Sequence, residues 1–195
     1  MTRIDDVSFE LILGSARTHN AWLDKPVEAS LLHQIYNQAR MGPTSMNCCP
    51  LRIVFVQSPE AKERLKACLN HGNIRQTMAA PVTAIFAYDR EFYEHMDRLW
   101  PHSDPRGSFK GKPAVIEDAA FRNSTLQAAY FILAARGYGL DCGPMSGFSR
   151  DMVDDTFFPG GIWRSNFLCN LGYGDRSKLR PRNARFEFHD VAKII

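Results

Sequence analysis

The sequence has no run of about 18 apolar residues, so it predicts no transmembrane helix. It has no C-x-x-C pair. Its five cysteines, Cys48, Cys49, Cys68, Cys142 and Cys169, are odd in number and two are adjacent. That argues against a disulfide framework or a structural zinc site and for free thiols in a reducing cytoplasm. Charge of one sign is scarce in excess. Lys+Arg 24 against Asp+Glu 21 leaves +3, which suits a small anionic ligand better than a long nucleic-acid duplex. Repeats and low-complexity tracts are missing. Asp5, Asp6 and Glu10 precede any apolar stretch, so a secretory leader is not expected.

Signature motifs are missing too. The six histidines (19, 33, 71, 95, 102 and 189) show no metal-ligand spacing, and there is no H-E-x-x-H and no G-x-S-x-G. Gly137 and Gly139 open a G-x-G-x-x-G pattern whose last glycine is replaced by Cys142. The pattern also follows a helix rather than a strand. Gly107 to Pro113 resembles a phosphate loop, but it is one residue short and carries Pro113 where a hydroxyl must reach magnesium. Hydrolase, kinase and zinc-enzyme chemistries therefore lack a carrier.

What is present is 195 residues with 45% apolar and 23% charged residues, the composition of one globular domain spanning 1–195. A helix is expected from Ser8 to about Gly14. Leu31, Leu32, Ile35, Tyr36 and Ala39 recur at three and four after Pro26 and predict a second helix, stopped by Gly42 and Pro43. Leu51 to Gln57 and Pro81 to Tyr88 read as strands, with a helix over about 60–70 between them. The stretch 90–113, rich in Pro, Gly and aromatics, reads as a lid-like excursion or as a surface loop whose aromatics pack inward. Helices follow at Glu117 to Arg136 and Asp151 to Phe157, then a strand at Phe167 to Tyr173. The basic tail holds Arg176, Lys178, Arg180, Arg182 and Arg185 and is expected to end in a short strand near Phe186 to Phe188. Helices outnumber strands without alternating with them, which predicts an α+β fold.

Three polar loops bounded by Gly or Pro remain. Arg17, Thr18, His19 and Asn20 read as a helix entrance suited to phosphate, or as an ordinary N-cap for a helix carrying Trp22. Pro43, Thr44, Ser45 and Asn47 form a rigid turn before a strand. Pro144, Met145, Ser146 and Gly147 form a turn whose glycines (Gly143 and Gly147) let a backbone N–H approach a flat ligand.

In this order the loops resemble the FMN-dependent nitroreductase family. Ala16 to Trp22 is similar to its Arg-Arg-Ser-x-Arg-x-aromatic motif. Gly42 to Pro50 is similar to Ala-Pro-Ser-Ser-x-Asn-x-Gln-Pro, and Pro144 to Phe148 to Pro-hydrophobic-Glu-Gly-Phe. Asn73 and Gln76 resemble an Asn-x-x-Lys pair, and Arg182 and Arg185 a phosphate-binding Lys/Arg pair. Ala16 and Asn20 replace two cations of the family, and Ser146 replaces a Glu. Stretches such as Phe121 to Ser124 and Leu171 to Leu179 resemble the malonic semialdehyde reductase branch, which forms 3-hydroxypropionate in pyrimidine degradation.

The resemblance implies a mainly antiparallel sheet flanked by helices and a homodimer with FMN at the interface, its C-terminal strand extended to the partner. It implies NADPH or NADH as reductant in a ping-pong cycle, with hydride carried by flavin N5 and no catalytic side chain. The flavin would meet Arg17, Thr18, Asn20, Asn73, Gln76, Arg182 and Arg185 of one chain and Pro43, Thr44, Ser45 and Asn47 of the other. The Pro144–Gly147 loop would lie near N5. Arg122, Arg150, Arg98 and Arg106 are candidate cations for a substrate carboxylate. A broad nitroaromatic or quinone reductase is the alternative, and a non-enzymatic anion binder using the tail is a remote one.

Overall fold

A computed structural model describes residues 3–195. Four strands, β1 (Leu51–Val56), β2 (Val82–Asp89), β3 (Asp141–Met145) and β4 (Trp163–Gly172), form one antiparallel sheet in the order β1-β2-β4-β3. Around it lie α1 (Asp6–Phe9), α2 (Ala29–Ala39), α3 (Pro59–Lys66), α4 (His71–Ala79), α5 (Met96–Leu99), α6 (Pro113–Gly137), α7 (Arg150–Phe157) and α8 (Phe188–Val191). The fold is α+β, as the mixture of patterns implies.

Strand β2 is buried along its whole length because helices cover both faces of the sheet. Its side chains alternate. Ala84 and Phe86 join the α2 residues Leu32, Ile35 and Ala39 and the α6 residues Ala128, Phe131 and Ala135 on one side. Ile85 and Ala87 join Leu65 of α3 and Val153 of α7 on the other. A strand buried on both faces reads as one continuous apolar run, which is what Pro81 to Tyr88 shows. The small residues of α6 let that helix lie against α2 and the sheet at once.

The excursion at 90–113 folds its aromatics inward. Phe92, Met96 and Phe109 form a third buried cluster with Tyr88, Cys48 and Ala120, and the Phe92 and Phe109 rings meet edge to face at 5.0 Å.

Four sequence expectations need correction. The segment from Arg17 to Trp22 is not a helix entrance. It is an irregular segment that bends at Asn20 and Ala21, with Thr18 bridging Cys142 and Trp22 bridging Gly174. The expected helix over 60–70 stops at Lys66, and Asn70 in extended backbone starts the separate helix α4. The Gly143–Met145 turn is strand β3, held by pairing with β4 despite its Gly and Pro. No strand forms at Phe186–Phe188. Instead Glu187 and Asp190 cap each other's backbone N–H groups and open the single turn α8, while 179–187 has no regular structure.

Candidate functional site

The segment 17–22 lies along the outer side of β3, where the His19 N–H donates to the Cys142 carbonyl at 3.1 Å. Such close approach needs a glycine. A Cβ on Gly143 would stand 2.5 Å from the His19 carbonyl oxygen. Further on, Leu23 N–H donates to Tyr173 O and Asp175 N–H to Ala21 O, tying the start of the tail to the same segment. His19 is buried, and burial pushes its pKa down. Its Nε2 lies 3.4 Å from Asp141 Oδ1, while its Nδ1 has no partner.

Between this segment, α4, the end of α6 and the tail opens a cleft of about 1280 Å³. Arg17, Arg75, Arg136, Lys178, Arg180, Arg182 and Arg185 line it, against one carboxylate, Asp175. Among the described residues, none of the seven cations has a carboxylate within 4.0 Å. Several are fixed by carbonyls instead. Arg17 donates to Arg180 O at 2.6 Å, and Arg182 to Gly14 O at 2.7 Å and Ala16 O at 3.0 Å. Arg136 Nη1 donates to Ile12 O at 3.0 Å, and its buried Nε has no partner. Carbonyl partners hold a guanidinium in place without cancelling its charge, so the cleft carries a concentrated positive charge. Thr18 and Asn20 stand exposed on its wall.

Beside the cleft, whose lining includes Gln76 but neither Asn73 nor the third loop, that loop meets the Asn73/Gln76 pair. Asn73 Nδ2 donates to Gly147 O at 2.8 Å, Gln76 Nε2 donates to Asn73 Oδ1 at 2.7 Å, and the Trp22 indole N–H donates to Gln76 O at 3.1 Å. A Cβ on Gly147 would sit 2.4 Å from Asn73 Nδ2, so this contact also needs glycine. Gln76 Nε2 reaches Met145 Sδ at 3.9 Å, and Ser146 is exposed beside it.

The structure thus brings the first loop, Gln76, Arg182 and Arg185 together around the cleft, with Asn73 and the third loop bonded to Gln76 and to each other outside its lining. It does not bring the second loop to them. Pro43, Thr44, Ser45 and Asn47 lie on α6: Ser45 N–H donates to Asn123 Oδ1, Tyr130 Oη donates to Pro43 O, and Asn47 Nδ2 donates to Leu99 O of the excursion. The turn is rigid, with Met46, Asn47 and Cys49 all at positive φ (51°, 51° and 40°). The four substrate candidates also lie outside the cleft lining. Arg122 is paired with Asp118 and Arg106 with Asp104. Arg150 donates to Ser165 O and Tyr88 Oη. Arg98 is exposed, with no carboxylate within 4.0 Å among the described residues.

Sequence reasoning missed Arg75 and Arg136. Both sit on helices, where a lone cation reads as solvated surface. The only local signal was that Arg75 adjoins Gln76 and that Arg136 precedes the helix-ending Gly137. Among the described residues, no three His, Cys, Asp or Glu side chains gather to hold a metal, and no helix is long and apolar enough to cross a membrane.

The chain is similar to known proteins over its full length. Over its whole length the chain is 57% identical to a Burkholderia lata protein named "Putative NADH dehydrogenase/NAD(P)H nitroreductase", and the match covers all of that protein. A Ralstonia nicotianae protein of the same description is 48% identical, again over all of both chains. Among solved structures, one described as a putative nitroreductase in complex with FMN, from Exiguobacterium sibiricum, superposes with a TM-score of 0.85 at 19% identity, covering 100% of this chain and 99% of that one. One from Staphylococcus epidermidis, described as a putative NAD(P)H:FMN oxidoreductase, gives 0.86 at 22%, covering 100% and 98%. At such identities these two show the shared fold. The Nitroreductase family model matches residues 14–173, most of the chain, and with the near relatives it settles the assignment: the chain belongs to the Nitroreductase family.

Proposed function

We propose that this protein is an FMN-dependent NAD(P)H oxidoreductase that reduces malonic semialdehyde to 3-hydroxypropionate. The observation that carries the cofactor reading is the cleft itself. A phosphomonoester brings a charge of about −2, and seven cations without carboxylate partners await it. The residues fit such a group: Arg136 Nε is buried without a partner in the wall of the cleft. Relatives named for NAD(P)H and the FMN complex of the Exiguobacterium protein agree with it.

In this reading Arg17, Arg182 and Arg185 hold the phosphate, with Thr18 and Asn20 donating beside them. Asn73, Gln76 and the Pro144–Gly147 loop hold the ring system. Pro43, Thr44, Ser45 and Asn47, which one chain keeps away from its own cleft, complete the site of a second copy. The apolar residues left exposed on the tail (Phe186, Phe188, Val191 and Ile194) and on α6 (Val115, Phe121 and Leu126) give that copy a surface to cover. FMN, when bound, supplies the hydride chemistry, and the protein's work is to bind, orient and exclude water. For the substrate carboxylate Arg98 is the least committed cation, because Arg106, Arg122 and Arg150 already have partners. The excursion at 90–113, anchored by Phe92 and Phe109, serves as the lid that carries Arg98.

A second reading, a broad nitroaromatic or quinone reductase, is favoured by the names of the near relatives. One experiment separates the two. Purified protein is checked for yellow colour and released FMN, and turnover of malonic semialdehyde is compared with that of a nitroarene under NADPH and under NADH. Aldehyde turnover well above nitroarene turnover supports the first reading. Nitroarene turnover without aldehyde turnover replaces it with the second. Colourless protein that takes up no FMN ends both.

A further inference from the structure

Lys62 on α3 is the one buried lysine among the described residues, 5% exposed, and no carboxylate lies within 4.0 Å of it. An ammonium taken out of water without a counter-ion is costly, and an apolar residue would fill the same space more cheaply. Its surroundings supply hydrogen bonds instead. Lys62 Nζ donates to Thr77 O at 2.9 Å and to Thr83 Oγ1 at 2.8 Å.

The bonds continue in one direction. Thr83 Oγ1 donates to Asn170 Oδ1 at 2.7 Å, its register partner across β2 and β4. Asn170 Nδ2 donates to Thr77 Oγ1 at 3.3 Å, and Thr77 Oγ1 donates to Met145 Sδ at 3.5 Å. Thr77, Thr83 and Asn170 are all at most 1% exposed. Met145 is the last residue of β3. Gln76 reaches the same sulfur, and Asn73 holds Gly147 two residues on. So the chain begins at a buried cation and ends at the loop that packs against Asn73 and Gln76, of which Gln76 lines the cleft. Every donor in it points the same way, the arrangement in which successive bonds polarise one another.

We propose that Lys62 is a positioning residue: through Thr83, Asn170 and Thr77 it fixes Met145, and with it the Pro144–Gly147 loop, against Asn73 and Gln76. This rests on the FMN reading for its consequence, that the chain sets affinity for the ring end of the flavin and not for its phosphate. Asn170 cannot pass a proton on, so the chain positions and does not conduct.

The test uses Thr83→Val, which keeps the shape and removes the hydroxyl, against Thr83→Ser, which keeps the hydroxyl and loses the methyl. Thr77→Val and Thr77→Ser repeat it at the far link should a Thr83 variant not fold. Two measurements are made. Hydrogen exchange of the Met145–Phe148 amides is followed in flavin-free protein, and binding is measured for FMN and for riboflavin, which lacks the phosphate. The Val variant should exchange faster there and lose about fivefold to tenfold in affinity for both flavins alike, the loss of one hydrogen bond, while the Ser variant stays within about twofold of wild type. Packing alone would reverse the order of Val and Ser. A Val variant with wild-type exchange, a loss confined to FMN, or equal losses for Val and Ser each overturn the proposal. Wild-type protein that binds neither flavin overturns the cofactor reading instead, and the exchange comparison then decides the positioning role by itself.

Discussion

Replacing Lys62 by Met makes the cost of its burial measurable. Burial lowers the Lys62 pKa from 10.5 to about 8. The folded-state value lies below the unfolded one, so in the window between them the unfolded chain binds the proton more tightly. The contribution of this group to stability therefore rises as pH rises through about 8 to 10.5. The penalty below that window corresponds to roughly 3 kcal/mol at about 1.4 kcal/mol per pH unit. Between pH 7 and 9.5 the recovered part is about 2 kcal/mol. Other groups titrate in the same range, so the quantity to read is the difference between wild type and Lys62→Met. Urea unfolding of flavin-free protein at fixed concentration, followed by far-ultraviolet circular dichroism, supplies it. The wild type should gain about 2 kcal/mol on the variant from pH 7 to 9.5. A difference that stays flat or falls with pH would refute the reasoning, because Lys62 would then keep an ordinary pKa and its ammonium would not be paying for burial.

Gly143→Ala pushes a Cβ to 2.5 Å from the His19 carbonyl, a backbone atom that cannot swing aside. It should cost about 1–3 kcal/mol and lower the melting temperature by several degrees; an unchanged melt by calorimetry contradicts the packing of segment 17–22 on β3. Affinity for FMN should fall steeply between low and high salt while that for riboflavin changes little, since the cleft's cations meet the phosphate; equal salt slopes in fluorescence titrations count against the phosphate site. Burial raises the Cys48 thiol to about 11, so at pH 8 iodoacetamide should leave Cys48 unmodified in the folded protein; rapid labelling seen by tandem mass spectrometry contradicts its burial.

The parts of the fold legible in the sequence are those where one periodicity rules. Leu32, Ile35 and Ala39 mark α2, and the unbroken apolar run marks β2, because each element buries a single kind of surface. Strand β3 was illegible because Gly143 and Pro144 are poor strand residues. Their conformation comes from pairing with β4, and Gly143 is required by the chain that lies on it. Helix α4 was hidden because Gly72, Arg75 and Gln76 face a cleft and leave little apolar rhythm. At the tail the alternation of Phe186 and Phe188 suggested a strand, yet both are exposed, at 80% and 56%, with no neighbouring strand to pair. The local capping of Glu187 and Asp190 prevails there. Around the candidate site the tail arginines and the Asn73/Gln76 pair were pointed to only by the resemblance to the family's motifs, whereas Arg75 and Arg136 converge only through the tertiary fold.

The lie of segment 17–22 along β3 has a consequence for solubility. β3 is a terminal strand, and a terminal strand left bare offers N–H and C=O groups to any passing chain. Here the segment that carries the cleft's Arg17 also shields that flank, through Thr18 and His19 against Cys142. Damage to ligand binding in this segment and a tendency to precipitate should therefore travel together, and a lost ligand would first be noticed as a turbid preparation.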